Sequence, residues 1–312
     1  MTNVYAKLTE AMASAGVAPA GDMEAIADGK IHRYRVDGDK SGSLNGWYFL
    51  DHDGEHYYGA FGSWKQDSKH TFTSREENQL SEKQRFLIKR RIDERKRQRD
   101  AEIKEQQEEA AKRAQTIYAS AKPLTSELQH PYLKRKMAKP FSARLFLGAL
   151  VLPVTNFEGE IQSLQFIAPN GDKKLLAGGK KKGNFIPVLS KPNEDGPNTV
   201  FIAEGFATAT TLAQAYSIAN IVLASVDAGN LKHVALGVRD MMPDATIMIG
   251  MDRDEVGMAK AREAAKACRG QTYLPGHRNG EPLPEHINDF NDLYVYEVKR
   301  GEALPPSEVP YE

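Results

Sequence analysis

Acidic residues end two apolar segments in the last third of the sequence, where they could bind a divalent cation. Glu204 and Gly205 end the run TVFIAEG, and Asp252 and Asp254 end the run ATIMIGMDRD. Residues two apart in extended backbone point to the same side, so both aspartates could serve one ion. Carboxylate oxygens suit Mg²⁺, which takes one or two carboxylates and completes its shell with water and substrate phosphates. The spacing predicts metal-assisted chemistry on a phosphate-containing substrate.

A further acidic segment, HINDFNDL at 286–293, contains Asp289 and Asp292 and could return to the same edge. An Asp-x-Asp pair alone is most often a solvated loop, and a Glu-Gly pair alone carries no information. The ordered combination is more specific, because each acidic motif follows an apolar strand and a helical segment separates them. We therefore treat these residues as one candidate site.

Basic residues are concentrated between positions 130 and 182, which hold 10 Lys or Arg and 3 Asp or Glu. Such a block can bind a polyanion although the whole chain is neutral, with 42 basic and 42 acidic residues. Three of its lysines lie in GGKKKG, where the glycines would let the backbone approach phosphates closely. The G-x-x-x-x-G-K-[ST] pattern of a P-loop is absent from the sequence, so no ATPase motor is predicted.

Strand and helix patterns alternate between residues 197 and 300, and the strands are continuously apolar. This pattern predicts a parallel sheet with flanking helices on both faces. In such sheets the ligand site lies at the carboxyl ends of the strands, where Glu204 and Asp252 fall. The predicted fold class is α/β, preceded by small β-rich domains and a long charged helix.

The rest of the chain divides by composition into four regions. Residues 1–74 form an aromatic-rich β domain, 75–121 a charged linker helix without Gly or Pro, 122–196 a basic β-rich subdomain, and 301–312 a tail. The aromatic residues of the first region include Trp47, Tyr57 and Trp64. They could be the core of a thin sheet, or a stacking platform for unpaired bases.

Cysteine and hydropathy exclude several classes of protein. Cys268 is the only cysteine, which excludes internal disulfides and a zinc ribbon, so no zinc is expected. The longest apolar run, 145–154, is about half the length of a membrane-spanning helix, and no leader peptide is evident at the start. We expect a cytoplasmic protein without a membrane partner.

The residues quoted above carry a resemblance to a known family. Segment 199–295, with Glu204-Gly205 followed by Asp252 and Asp254, resembles the Toprim domain of primases, topoisomerases and some nucleases. A more specific resemblance covers 128–295 through HPYLKRKMAKP, VLPVTNFEGEIQSLQFIAPNGDKKLLAGGKKKGNFIPV, VFIAEGFATATTLAQA and DFNDL in that order. These segments resemble Toprim-domain DNA primases of the conjugative-plasmid and satellite-phage type.

The resemblance implies a nucleotidyl transferase that makes short primers on single-stranded DNA from nucleoside triphosphates. It implies that Asp252 and Asp254 bind Mg²⁺ or Mn²⁺, that Glu204 is a general acid/base or a metal ligand, and that Asp289 and Asp292 support them. It also implies that basic residues bind template, primer or nucleotide; these are Lys134, Arg135, Lys136, Lys173, Lys174, Lys180, Lys181 and Lys182.

The sequence departs from this family in two respects. The zinc ribbon that reads the template in bacterial-type primases is missing, which makes the aromatic region 1–74 a candidate for a metal-free counterpart. The fused helicase of the satellite-phage type is also missing, so a separate helicase partner is expected. Two alternatives stay open, a Toprim-type Mg²⁺-dependent nuclease and a non-catalytic protein that binds single-stranded DNA.

Overall fold

The computed structural model describes residues 2–52, 54, 56–66, 68–74, 82–216, 219–276 and 282–306. The chain divides into two compact units, residues 1–97 and 98–312, and each is described by itself. Residues 75–81 of the predicted linker helix and 307–312 of the predicted tail lie outside the described residues. No helix in the described part of the chain is both long enough and apolar enough to cross a membrane.

The first unit contains a helix and an antiparallel sheet. Its elements are α1 (Thr2–Ser14), β1 (Ile31–Tyr34), β2 (Gly46–His52), β3 (Tyr57–Ser63) and β4 (Ser68–Thr73). The strands are hydrogen-bonded in chain order. Side chains alternate across a strand, so Tyr48 and Leu50 of β2 lie on the face that packs against Leu8 and Met12 of α1. This face is the core of the unit.

A long helix, α2 (Glu82–Ser120), contributes residues to both units. Its length follows from the absence of Gly and Pro and from the abundance of Glu, Lys, Arg, Gln and Ala. Most described side chains before residue 110 are exposed, in agreement with a charged helix. Its last turns are packed, because Ala114 is buried against Val151 and Leu164. The end of α2 is therefore part of the second unit.

The second unit contains an antiparallel sheet that carries the basic segments. Its strands are β5 (Lys122–Pro123), β6 (Arg144–Phe146), β7 (Ala149–Thr155), β8 (Ile161–Ile167) and β9 (Lys173–Leu175). They are hydrogen-bonded in chain order. A short helix, α3 (Pro131–Lys136), lies between β5 and β6, and His130 caps its amino terminus.

A mixed sheet follows in the same unit. Its strands are β10 (Ile186–Ser190), β11 (Thr199–Ala203), β12 (Ile221–Ala224), β13 (Thr246–Gly250) and β14 (Gln271–Tyr273). The spatial order is β10-β12-β11-β13-β14, and all neighbours are parallel except β10 and β12. The associated helices are α4 (Phe206–Thr211), α5 (Leu231–Met241), α6 (Glu255–Cys268) and α7 (Phe290–Lys299).

The mixed sheet confirms the predicted α/β fold class with its flanking helices. Val200 and Ile202 of β11 pack with α5 and α6, whereas Phe201 packs in a second core that contains Phe206 and Phe290. That second core also contains Leu150 and Ile167 of the preceding sheet, so the two sheets share apolar contacts. Strand β10 lies in the region 122–196, yet it is hydrogen-bonded as an antiparallel edge of the mixed sheet.

Candidate active site

Glu204 directly follows β11, at the carboxyl end of the central strand. Its side chain is partly buried, and this burial raises the pKa of the carboxyl above its usual value. The negative charges of Asp227 and Asp254 raise this pKa further, while the backbone of Ala228 lowers it through a hydrogen bond. A carboxylate held in this way is stabilised by any cation that reaches it.

Asp252 follows β13, the strand beside β11, and is likewise partly buried. Burial raises the pKa of Asp252 to about 7, and the charges of Glu204, Asp289 and Asp254 contribute to the increase. These effects show that the four carboxylates interact electrostatically at one edge of the sheet, as the strand order predicts. We call Glu204, Asp227, Asp252, Asp254 and Asp289 the acidic rim.

Asp254 is engaged in local structure as well as in the rim. Its Oδ1 accepts a hydrogen bond of 2.8 Å from the backbone N–H of Gly257 and caps α6, a role that aspartate often has at the start of a helix. Its Oδ2 lies 3.4 Å from Nδ2 of Asn288. Asp254 therefore has less capacity than Asp252 to bind an ion directly.

Arg253, between the two aspartates, fixes the segment that carries the last acidic residues. Its backbone N–H donates to the carbonyl of Asn288 over 2.8 Å, and its guanidinium donates to the carbonyl of Ile287 over 2.9 Å. These bonds place Asp289 near Asp252. No motif in the sequence indicates this role of Arg253.

Asp289 and Asp292 belong to the amino terminus of α7. Asp289 caps this helix, because its Oδ1 accepts from the N–H of Asp292 over 2.8 Å, and its Oδ2 accepts from the hydroxyl of Thr208 over 3.1 Å. Asp292 pairs with Lys136, with 3.1 Å between Oδ1 and Nζ. Asp289 contributes charge to the rim, whereas Asp292 joins α7 to α3.

Lys173 of β9 supplies a positive charge next to these carboxylates. Its Nζ lies 3.7 Å from the position that a Cβ atom would take on Gly205, and its charge lowers the pKa of both Glu204 and Asp252. Its side chain is exposed and can therefore meet an incoming anion.

Lys181, in the GGKKKG segment at 178–183 that we call the lysine loop, pairs with Asp227. The distance between its Nζ and Oδ2 of Asp227 is 2.5 Å. The other oxygen of Asp227, Oδ1, is buried and has no hydrogen-bond partner within the described residues. Asp227 is a site residue that was not predicted, although it follows the apolar segment NIVLASV just as Glu204 and Asp252 follow their strands.

Asn230 holds the lysine loop in place. Its buried Nδ2 donates to the carbonyls of Lys181, Asn184 and Ser225, and its Oδ1 accepts from the N–H of Gly183 over 2.9 Å. Gly183 has a φ of +77°, a conformation that glycine adopts without strain. The loop is thus tied by its backbone to the turn that follows β12.

The donor set of the rim fits a magnesium ion. No group of three or more His, Cys, Asp or Glu side chains in the described ranges is close enough to enclose a metal ion. Mg²⁺ does not need such a cage, because it is commonly held by one or two carboxylates together with water and substrate phosphates. The mutually repelling carboxylates and the unpartnered Oδ1 of Asp227 leave negative charge that a cation would neutralise. Asp252 and Glu204 are the residues that would hold it.

Comparison with known families identifies this part of the chain. Residues 199–299 match the Toprim domain family. They form a Toprim domain. This match confirms the resemblance inferred from Glu204-Gly205 and the Asp252-Asp254 pair.

Two curated relatives, both DNA primase TraC of Escherichia coli, are similar to a longer part of the chain. One is 30% identical over 289 residues, which is 86% of this chain and 19% of the relative. The other is 28% identical over 301 residues, which is 88% of this chain and 27% of the relative. The chain therefore spans about a fifth to a quarter of the length of the curated relatives that it matches.

Among solved structures, the primase fragment of the bacteriophage T7 primase-helicase protein has a TM-score of 0.38 at 17% identity, over 51% of this chain and 63% of that chain. The DnaG primase catalytic domain bound to single-stranded DNA has a TM-score of 0.35 at 14% identity, over 56% of this chain and 59% of that chain.

The other predicted phosphate-binding residues lie on exposed surfaces of the unit that contains the Toprim domain. Lys134 and Arg135 are exposed on α3, Lys174 is exposed on β9, and Lys180 and Lys182 flank Lys181 in the lysine loop. Arg135 donates to the carbonyl of Pro169 over 3.2 Å, which orients its guanidinium.

The predicted stacking residues belong to the first unit, and the structure brings two of the three together. The ring centroids of Trp47 and Trp64 are 5.6 Å apart, and the guanidinium of Arg33 lies 4.7 Å from the Trp64 ring. Tyr57 points to the opposite face of the sheet, where its ring meets that of Tyr5 at 6.3 Å. Tyr57 borders the core of the unit, whereas the half-exposed Trp64 does not. The stacking role of Trp47 and Trp64 stays a prediction.

Proposed function

We propose that this protein is a DNA primase, which makes short primers on single-stranded DNA by Mg²⁺-dependent nucleotidyl transfer during plasmid or phage replication. The observation that carries the proposal is the acidic rim of the Toprim domain, with Lys173 and Lys181 beside it. Its similarity to two DNA primases over most of the chain supports this function.

In the proposed reaction, the 3′-hydroxyl oxygen of one nucleotide attacks the α-phosphorus of a nucleoside triphosphate. A new P–O bond forms, the bond between the α-phosphorus and its bridging oxygen breaks, and pyrophosphate leaves. Bound Mg²⁺ would neutralise the phosphates and make the attacking hydroxyl more acidic. The protein itself mainly positions the reactants and balances their charge.

Each residue of the rim has a separate role in this reaction. Asp252 would be the main ligand of the cation, and Asp254, which also caps α6, would add negative charge beside it. Glu204 accepts the hydroxyl proton or serves as a second ligand. Lys173 and Lys181 balance the triphosphate, since a lysine ammonium near phosphate oxygens forms strong charge-assisted hydrogen bonds. The exposed residues Lys134, Lys174, Lys180 and Lys182 then bind the template or primer backbone.

We propose that Trp47 and Trp64 of the first unit stack on template bases, and that residues 1–74, 75–121, 122–196 and 197–300 act as template-binding, linker, phosphate-binding and catalytic regions. A separate replicative helicase would supply single-stranded template. Because the template and nucleotides meet in the cytoplasm, we place the reaction there.

Primer synthesis on single-stranded DNA with labelled nucleoside triphosphates and Mg²⁺ tests the proposal. Wild type should yield short labelled products, and Asp252→Asn should reduce them at least a hundredfold. Asp240→Asn, which changes an exposed aspartate at the end of α5, is the matched control and should have no effect. Degradation of the template would instead indicate a nuclease. Bound, intact template without products would indicate an accessory binding protein.

A further inference from the structure

A cationic cavity lies beside the acidic rim, between α3 and α7. Its volume is about 390 Å³, which is within the usual range for small-molecule sites. Arg135 and Lys136 of α3 line one side, and Lys299 of α7 and His286 line the other. The ring of Tyr296 forms part of the wall. Arg135 and Lys136 are among the predicted phosphate-binding residues, whereas His286, Tyr296 and Lys299 have no role in the proposed reaction.

The charge of the cavity favours an anion. Asp292 is the one carboxylate among the described residues that line it, and it is already paired with Lys136. Arg135 and Lys299 therefore contribute positive charge that no carboxylate of the lining balances. Arg135 uses one N–H on the carbonyl of Pro169, and a guanidinium has further donors for a phosphate.

The position of the cavity relative to the rim suggests which phosphates it takes. The backbone N–H of Arg253, next to Asp252, donates to the carbonyl of Asn288 over 2.8 Å, which places the start of α7 beside the rim. Asp292 of the cavity lies about one helical turn further along α7 than Asp289. A nucleotide whose 3′-hydroxyl reaches the rim carries its 5′-phosphates away from the rim. A cationic site one turn from the rim matches that arrangement.

We propose that the cavity between α3 and α7 binds the 5′-phosphates of the initiating nucleotide, the one whose 3′-hydroxyl attacks. This inference rests on the proposed primase function. Arg135 and Lys299 bind the phosphates, and Tyr296 provides an aromatic surface for the ribose or base. The same cations could instead meet template phosphodiesters, and the two sources of phosphate respond differently to the experiments below.

The first experiment needs no catalysis. Binding of inorganic tripolyphosphate to the full chain is measured by calorimetry in metal-free buffer. Lys299→Ala should weaken binding about tenfold, as expected for the loss of one charge-assisted contact, and Lys299→Glu should weaken it more. Lys266→Ala, an exposed lysine in the last turn of α6, is the matched control and should bind as wild type does. Equal binding by wild type and both Lys299 variants would overturn the proposal.

The second experiment separates the two sources of phosphate. Initiation from nucleoside triphosphates is compared with extension of a preformed dinucleotide that has no 5′-phosphate. Lys299→Ala should raise the KM for the initiating nucleotide, and this increase should be about tenfold larger than the increase in the KM for extension of the dinucleotide. Equal effects on both reactions would assign the cavity to the template and overturn the proposal. If wild type makes no primers, the proposed function fails, and the calorimetry still decides whether the cavity binds phosphate.

Discussion

Lys181 and Asp227 join the lysine loop to the end of β12 through an ion pair of 2.5 Å between Nζ and Oδ2. The two residues are 46 positions apart in the chain. The contact gives the loop a defined place beside Glu204, because the charge of Asp227 also raises the pKa of Glu204. The lysines of the loop are thus positioned by the Toprim domain and not only by their own glycines.

This pair should act on nucleotide binding more than on the chemical step. Asp227→Asn removes the ion pair, so we expect the KM for the incoming nucleotide to rise about tenfold with a smaller change in kcat. A double-mutant cycle with Lys181→Met tests the coupling, because the double variant should be no worse than the poorer single variant. Strictly additive losses would contradict the role of the pair. Asp240→Asn serves again as the control.

Repulsion within the acidic rim should lower the stability of the metal-free protein. Burial and three neighbouring carboxylates raise the pKa of Asp252 to about 7, which means that its charged form is disfavoured in the fold. Asp252→Asn should therefore stabilise the metal-free protein at pH 8 by about 1–3 kcal/mol.

With Mg²⁺ present, wild type should become more stable than Asp252→Asn, because a bound ion stabilises the folded state that binds it. Thermal unfolding checks both parts of the prediction. It is measured for wild type, Asp252→Asn and Asp240→Asn, first with EDTA and then at Mg²⁺ concentrations that increase in tenfold steps. A variant that is less stable than wild type in EDTA would show that the carboxylates do not repel one another.

The buried residue His130 should make the second unit sensitive to mild acid. Its Nδ1 accepts from the N–H of Tyr132 and caps α3, and burial lowers its pKa, with a smaller contribution from Arg135. The unfolded chain therefore takes up a proton at a higher pH than the folded chain does. The contribution of His130 to the free energy of unfolding is therefore fully present above about pH 6.5, and it is lost as the pH falls below that value.

Asparagine also caps helices but does not titrate, so His130→Asn is the comparison. Urea unfolding between pH 8 and pH 5 should show a steeper loss of stability for wild type than for the variant. The same slope for both proteins would remove His130 as the cause.

Stacking of single-stranded DNA bases on the first unit should require Trp64 but not Tyr57. Trp64 lies beside Trp47 with Arg33 over its ring, whereas Tyr57 packs against Tyr5 near the core. Trp64→Ala should weaken binding of a single-stranded oligonucleotide at least fivefold, because each stacked base contributes about 1–3 kcal/mol. Trp64→Phe should retain most of the affinity, and Tyr57→Phe all of it. Fluorescence anisotropy of a labelled oligonucleotide measures these effects, and unchanged binding by Trp64→Ala would exclude the stacking role.

Sequence patterns predicted those site residues whose positions follow from the ends of nearby strands and helices. Glu204 and Asp252 were found because apolar strands of a parallel sheet end at one edge, and the structure places both residues there. The helix cap formed by Asp254 follows a local rule as well, although this residue was predicted only as a catalytic residue and metal ligand.

What escaped prediction depends on contacts between distant segments. Asp227 matters because Lys181 reaches it from the lysine loop, and Arg253 matters because it holds Ile287 and Asn288. Tyr57 lies on the core face of the sheet because it pairs with His52 of the neighbouring strand. The alternation of side chains along β3 cannot predict this face unless the register with β2 is known. Long-range pairing of this kind leaves no spacing signature in one sequence.

The antiparallel pairing of β10 with β12 affects how the Toprim domain can be isolated. Residues 199–299 match the domain family, but the sheet that they form borders on Ile186–Ser190. A fragment that begins at residue 197 would leave the backbone groups of Ile221, Val222 and Leu223 unpaired along a bare, apolar edge. Bare edges of this kind recruit strands from other molecules, so such a fragment would aggregate. The smallest soluble piece of this chain that retains Glu204 and Asp252 therefore begins before Ile186.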